Sequence, residues 1–293
     1  MDGFLNLNKP QNFTSHDCVA KLRKILNTKK IGHGGTLDPS ATGVLPIAIG
    51  KATRLLQFLP TEKAYQGKIR FGVVTTTDDL EGDVIKKTSA KHLTLEKITP
   101  FLKDFFGKIE QIPPAYSAIK QQGKKLYELA RKGQVIDIPK REVIITKIDI
   151  LHWQNGDFPE LDLHIFCGGG TYIRSIARDL GEKLGTGATL SALNRTLSCD
   201  MIIENSLNFE EIIEGKKTAN LSLINLDLPL KNLPSIYLNE EESKKWCQGQ
   251  KITINNNLNQ EFYRTYNYVS KFIGISELRI NEDIILLKPK VVI

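Results

Sequence analysis

Runs with strand character and runs with helix character follow one another irregularly along the first 230 residues, and this order constrains the fold more than any other feature of the sequence. "GFLNLNKP" reads as a short strand ended by Pro10, and "TSHDCVAKLRKIL" as a helix. In that helix Val19, Leu22, Ile25 and Leu26 form an apolar stripe, Lys21, Arg23 and Lys24 lie off it, and Thr14 and Asp17 have capping-box spacing. "AYQGKIRFGVVT" alternates, with Tyr65, Ile69, Phe71 and Val73 on one parity and Gln66, Lys68 and Arg70 on the other, the pattern of a half-buried strand. "TLEKITPFLKDFFG" predicts a helix, and "IPPAYSAIKQQGKKLYELARKGQ" a double proline followed by a basic helical segment. "EVIITKIDILHW" and "LDLHIFC" predict strands, and "TYIRSIARDLGEKLG" a helix. A clean βαβ alternation would predict a doubly wound parallel sheet. This series predicts a mixed-sheet α/β (α+β) domain. After about Pro229, short strand-like runs alternate with polar turns, which predicts a second, small, mostly β domain; the expected division is 1–230 and 231–293.

The chain has 293 residues, with 41% hydrophobic and 25% charged side chains, enough to bury a substantial core. Its net charge of +7 is compatible with a polyanionic partner without requiring one. Cys18, Cys167, Cys199 and Cys247 form no C-x-x-C pair, and His16, His33, His92, His152 and His164 show no H-E-x-x-H spacing, so no zinc site is expected. No signal peptide and no transmembrane run is read, and a cytoplasmic protein is the expectation. No P-loop, G-x-G-x-x-G or G-x-S-x-G motif appears, which demotes nucleotide-driven and serine-hydrolase chemistry.

What stands out is "IGHGGTLDPSATGVLPIAIG" around the single carboxylate of Asp38. Alone, Asp-Pro-Ser is a turn. The surrounding Gly32, Gly34, Gly35 and Gly43 permit close approach to a ligand, and Pro39 keeps Asp38 out of the α region and so aims its carboxylate. A rigidly aimed carboxylate on a glycine-rich loop is what a nucleophile or base needs. In "CGGGTYIRSIARDLG" the residues Ile173, Ile176, Ala177, Leu180 and Leu184 make a core-facing stripe. Arg174 and Arg178 lie off it, either as a solvated basic face or as partners for a buried carboxylate or phosphate. In isolation Tyr65, on an apolar parity, reads as a core tyrosine, and His33 as an inert loop histidine.

Taken together, five segments resemble the bacterial tRNA pseudouridine synthases of the TruB family, which act on the T-loop uridine at tRNA position 55. They are "GFLNLNKPQNFTSHDCVAKLRKIL", "GHGGTLDPSATGVLPIAIGKATRLLQFL", "KAYQGKIRFGVVTTTDDLEGDV", "IPPAYSAIKQQGKKLYELARKG" and "CGGGTYIRSIARDLGEKLGTGATLSALNRT", in the family's order, over roughly residues 3 to 230. The C-terminal segment resembles the family's small PUA-like RNA-binding domain more weakly. The resemblance implies a pseudouridine synthase fold and an isomerase that flips a base out of tRNA. It implies that Asp38 is the essential aspartate, Tyr65 the tyrosine that stacks on the extracted uracil, and Arg174 the arginine that pairs with Asp38 and holds its pKa down. It places His33 in the T-loop, Arg54 as a basic residue near the site, and Tyr172 and Leu193 on the pocket wall. The segment from Ser117 to Val143 resembles a thumb that closes on RNA, with Lys120, Lys124, Lys125, Arg131, Lys132, Lys140 and Arg141 suited to phosphate contacts. No metal or redox cofactor is implied, no obligatory protein partner and no membrane; a monomer is expected. Removal of a separable C-terminal domain is expected to weaken tRNA binding and leave some activity.

Two other readings compete. A guide-RNA-dependent synthase of the dyskerin type would share the aspartate but need partners and a guide, and the near-immediate start of the catalytic segment fits the stand-alone type better. A non-catalytic tRNA-binding or folding protein would also use the charge and the thumb, but binding alone has no use for an aspartate at the target base, where it repels phosphates.

Overall fold

The structure is a computed structural model and describes the chain apart from residues 118, 122, 127–128, 130–136, 255–257 and 282–283. The first part of the chain runs β1 (Gly3–Lys9), α1 (Ser15–Leu26), β2 (Ile31–His33), β3 (Thr42–Ile49), β4 (Lys63–Phe71), β5 (Val73–Thr75), β6 (Val84–Lys87), α2 (Leu95–Leu102) and β7 (Gly107–Gln111). It continues through β8 (Lys120–Gln121), β9 (Lys124–Lys125), β10 (Arg141–Gln154), β11 (Glu160–Cys167), α3 (Ile173–Lys183), β12 (Ala188–Ser198), β13 (Met201–Ile202) and α4 (Phe209–Lys217). The main sheet has the order β1-β3-β12-β4-β11-β10-β7, with β2 added to β3 and β13 to β12.

β4 lies at the middle of this sheet because its alternation suits a strand with one packed face. Tyr65, Ile69 and Phe71 enter the largest apolar cluster, while Gln66 is exposed and Lys68 and Arg70 half-exposed. Ile173, Ile176, Ala177 and Leu180 of α3 pack into the same cluster, so the helix covers that face of the sheet. The Thr14 hydroxyl accepts from the Asp17 N–H, and the Asp17 carboxylate accepts from the Thr14 N–H, so the capping box starts α1 as expected. Only one pairing within the main sheet is parallel: β12 meets β3 at Asn194–Thr42 and Arg195–Gly43 and then departs. A cleft opens where these two strands diverge.

Three elements differ from expectation. β12, a central strand, shows no sequence alternation because register shifts between Leu190 and Ala192 and between Arg195 and Leu197 reset its parity. α4 is announced only by a capping box of Asn208 and Glu211 inside a polar run. The segment expected to be helical after the double proline first forms the hairpin β8–β9, turned at Gly123 with φ +82°. The expected RNA contacts Arg131 and Lys132 lie outside the described residues, as do the side chains of Lys120, Lys124 and Lys125.

A second sheet follows: β14 (Ser235–Tyr237), α5 (Glu240–Cys247), β15 (Ile252–Ile254), β16 (Phe262–Tyr266), β17 (Phe272–Asn281) and β18 (Ile284–Val292), in the order β14-β16-β17-β18-β15. Its Ile275 and Val291 share one apolar cluster with Phe4, Val44, Ala52, Leu55 and Phe58 of the first part, with Phe262 packed against it. Phe58 and Phe262 meet edge to face at 5.1 Å. The Tyr266 hydroxyl also donates to Asp227 across the seam, at 2.7 Å. Deleting the chain after residue 232 therefore exposes core rather than removing a loosely tethered module. Each large apolar side chain uncovered costs about 1.5–3 kcal/mol, and a thermal melt of the truncated protein is expected to fall by roughly 10 °C or more. A truncated protein that melts with the full chain would show that the seam carries no stability.

Candidate active site

The loop between β2 and β3 is fastened at almost every residue. Asp38, Pro39, Ser40 and Ala41 form a turn closed by the Ala41 N–H donating to the Asp38 carbonyl at 3.1 Å. Pro39 sits at the position whose φ it presets. Ser15, at the start of α1, accepts from the Leu37 N–H at 2.9 Å. The Asn12 N–H donates to the Pro39 carbonyl at 2.9 Å. Lys9 is fully buried, and its ammonium donates to the carbonyls of Pro10, Phe13 and Pro39 at 2.9, 2.6 and 3.1 Å. These three bonds lock the segment after β1 against the aspartate turn.

On the other side Arg195 of β12, also fully buried, donates to the carbonyls of Val44, Thr36 and Gly35 at 2.8, 3.3 and 3.2 Å. Gly43 is required at this crossing. Its φ is +104°, and a Cβ there would lie 2.3 Å from the Arg195 carbonyl oxygen.

The aspartate turn faces α3. Arg174 Nε lies 3.1 Å from an Asp38 carboxylate oxygen, and Arg174 Nη1 lies 3.4 Å from Asp79. The Arg174 side chain is 6% exposed and that of Asp38 36%, so the guanidinium is enclosed while the carboxylate reaches the cleft. Arg174 further donates to the carbonyls of Thr77 and Tyr116, each at 3.0 Å. Asp79 comes from the loop between β5 and β6. It is held by the Thr77 hydroxyl at 2.5 Å and the Glu81 N–H at 3.0 Å. One turn further along α3, Arg178 pairs with Asp78 at 3.0 Å and with Asp179 at 2.8 Å. The two arginines four residues apart thus take neighbouring carboxylates of a single loop, and neither forms a solvated face.

A cleft of about 580 Å³ opens above this pair, lined among others by Asp38, Asp79, Glu81, Arg174, Leu193 and Asn194. Burial pushes the Asp38 carboxyl above its ordinary value; Arg174 pulls it down and Asp79 pushes it up again. The expectation that Arg174 holds Asp38 low is corrected here: the guanidinium is shared between two carboxylates, and burial outweighs it.

The remaining expected site residues divide. Leu193 lines the cleft. Tyr65 is 7% exposed, its ring in the core beneath the cleft. Burial raises its phenol, and the Arg195 guanidinium beside its hydroxyl opposes that. Tyr172 precedes α3, with its N–H donating to the Gln111 amide oxygen at 2.8 Å and its carbonyl accepting from the Gln111 amide nitrogen at 3.0 Å. Arg141 is exposed at the start of β10, opposite Gln111, and Lys140 pairs with Glu110 at 3.1 Å. His33, on β2, sets its ring against His16 with centroids 5.8 Å apart; burial and His16 lower its pKa. Arg54 is not brought to the cleft. It lies past the opposite end of β3 and donates to the Val292 carbonyl at 2.7 Å, at the seam with the second sheet.

Sequence reasoning missed Lys9, Asp79 and Arg195. Asp79 sits in "TTTDDLEGD", indistinguishable from a solvated turn, and Lys9 and Arg195 reveal themselves only through the carbonyls they collect. Replacing Lys9 by Met takes its donor from the Pro10 and Phe13 carbonyls and leaves the Pro39 carbonyl with the Asn12 N–H alone, at about 1–3 kcal/mol for each carbonyl left unsatisfied. Lys9→Met is expected to lower the melting temperature and reduce turnover about tenfold or more through the loosened turn. Unchanged turnover in the variant would show that the clamp does not position Asp38.

Comparison with known proteins places the chain in a family. The family model described as TruB family pseudouridylate synthase (N terminal domain) matches residues 23–173, and that described as Pseudouridine synthase II TruB, C-terminal, matches residues 234–293. The tRNA pseudouridine synthase B of Gloeothece citriformis is 56% identical over 281 residues, 95% of this chain and 91% of that protein. That of Nostoc sp. is 51% identical over 279 residues, 95% of each. Among solved structures, a chain of a Cbf5-Nop10-Gar1 complex superposes with a TM-score of 0.75 at 25% identity, over 99% of this chain and 83% of that one. The mixed α/β sheet followed by a β-rich C-terminal sheet is the pseudouridine synthase fold. The chain belongs to the TruB family of pseudouridylate synthases.

Proposed function

We propose that this chain is a tRNA pseudouridine synthase that isomerises the T-loop uridine at position 55, with Asp38 as its catalytic residue. The observation that carries this reading is the Asp38 carboxylate, fixed by a proline turn and by Arg174 at 3.1 Å, on the wall of a cleft wide enough for a flipped nucleotide. The reaction cuts N1–C1′, turns the uracil and joins C5 to C1′; C5 loses a proton and N1 gains one. Extracting the base costs on the order of a few kcal/mol. An aromatic face such as Tyr65 returns about 1–3 kcal/mol by stacking. Tyr65 lies just below the cleft, so its role requires the base to descend past Leu193. Tyr65 is also the candidate for the proton transfer at C5. Asp38 acts at C1′, at C6 or on the 2′ proton, three routes that share one requirement, an ionised and shielded carboxylate.

In this reading residues 1–230 catalyse and residues 231–293 contact RNA as a PUA-like unit. Arg141 and the thumb cations Lys120 and Lys124 contact phosphates, His33 enters the T-loop, and Tyr172 borders the base. No protein partner or guide RNA is required, and the chain acts as a monomer in the cytoplasm. The Cbf5 likeness concerns the fold; the relatives at 51–56% identity are named tRNA pseudouridine synthase B. Carbodiimide mapping of an unmodified tRNA transcript after incubation with the protein alone tests the reading. A new primer-extension stop one nucleotide 3′ of position 55, absent from the transcript carrying cytidine at 55, is expected. A stop elsewhere, or none until a guide and partners are added, would replace it.

A further inference from the structure

Around the cleft, nearly every buried or half-buried cation is matched. Lys68, Arg70, Arg174 and Arg178 each have a carboxylate partner, and Lys9 and Arg195 each collect three carbonyls. Lys63 is the exception. The residue is half-buried, and its ammonium makes one long, exposed bond, 3.5 Å to the Thr61 carbonyl, and pairs with no carboxylate among the described residues. Burial, first, and the nearby Arg195 lower its pKa, against smaller opposing effects of Cys199, Cys167 and Glu62.

The place is specific. Lys63 opens β4 two residues before Tyr65, so the two side chains share one face of the strand about 7 Å apart. The lysine runs between the glycine-rich loop before Asp38 and the glycine run before α3. A Cβ on Gly35 would lie 3.7 Å from its Cε, and a Cβ on Gly169 would lie 3.7 Å from its Nζ. The absence of side chains at those two positions leaves the ammonium open to a ligand from outside.

We propose that Lys63 holds a backbone phosphate of the RNA substrate, the one on the 5′ or 3′ side of the nucleotide whose base goes to Tyr65. This inference rests on the proposed function, and it makes Lys63 a positioning residue. An anion there supplies the counter-charge that Lys63 lacks, and it fixes the sugar between Asp38 and the phosphate grip so that base rotation occurs about a held backbone.

The test uses the full chain, Lys63→Met and Lys63→Arg, with T-arm RNAs carrying a single methylphosphonate on the 5′ or the 3′ side of the target uridine. The wild type is expected to lose about tenfold in kcat/KM on one of the two neutral linkages. Lys63→Met should show that loss already on ordinary RNA and none further on the neutral linkage, and Lys63→Arg should behave as the wild type. The slope of log Kd against log salt for Lys63→Met should be shallower by about 0.7–1. Independent losses from the variant and from both methylphosphonates, or an unchanged slope, would overturn the proposal. A variant that merely folds less well lowers the melting temperature without coupling to either linkage, and this too would overturn it. Failure of the wild type on ordinary RNA would instead overturn the proposed function.

Discussion

Asp38→Asn is expected to lower turnover by at least about 10³-fold while leaving tRNA affinity within a few-fold. Asparagine keeps the size and the turn, so the cleft stays intact and only the charge is lost. Rapid-quench turnover and filter-binding affinity, measured side by side, read the two quantities separately. A parallel loss of both would mean that Asp38 shapes the binding surface and does no chemistry.

The same variant should be more stable than the wild type at neutral pH. Burial raises the folded-state pKa of Asp38 above its unfolded value. The folded protein therefore binds this proton more readily than the unfolded chain. The associated stability is complete at low pH and is lost as pH rises through the folded pKa. Above that pKa the wild type carries a charged, partly buried carboxylate, and asparagine does not. A calorimetric melt of Asp38→Asn below that of the wild type at pH 7 would contradict this.

Arg174→Ala is the second large effect. It leaves Asp38 and Asp79 facing each other without a counter-charge and strips a donor from the Thr77 and Tyr116 carbonyls. Removing one partner from a buried pair costs about 3–5 kcal/mol, and kcat is expected to fall by roughly 10²-fold or more, with a smaller loss of tRNA affinity. Without the guanidinium the Asp38 carboxyl rises further, so the acid limb of the kcat/KM profile moves to higher pH. Arg174→Lys should not rescue, because one ammonium cannot reach two carboxylates and two carbonyls. A profile with an unmoved acid limb would remove the ion pair from the mechanism.

Much of this was legible in sequence where local chemistry and fold agree. The Thr14–Asp17 box, the alternation of β4, the Asp38-Pro39 turn and the α3 stripe each encode their outcome within a few residues. β12 was not legible because its two bulges break the parity that marks a strand. Asp79 was not, because its partner is nearly a hundred residues away on another element. Arg54 shows the opposite failure: a basic residue following the glycine-rich motif in sequence lies past the far end of an eight-residue strand and serves the seam. The second sheet read as a separate unit because its short strands and polar turns look self-contained, yet Phe262, Ile275 and Val291 complete the core of the first.

The most direct test of the central claim is tritium release from tRNA transcribed with [5-³H]uridine, with wild type and Asp38→Ala compared at equal tRNA occupancy. Release by the wild type alone, lost when the T-loop target uridine is replaced by cytidine, is the predicted result. Equal release by both proteins, or none from a wild type that binds tRNA normally, would contradict a reaction centred on Asp38.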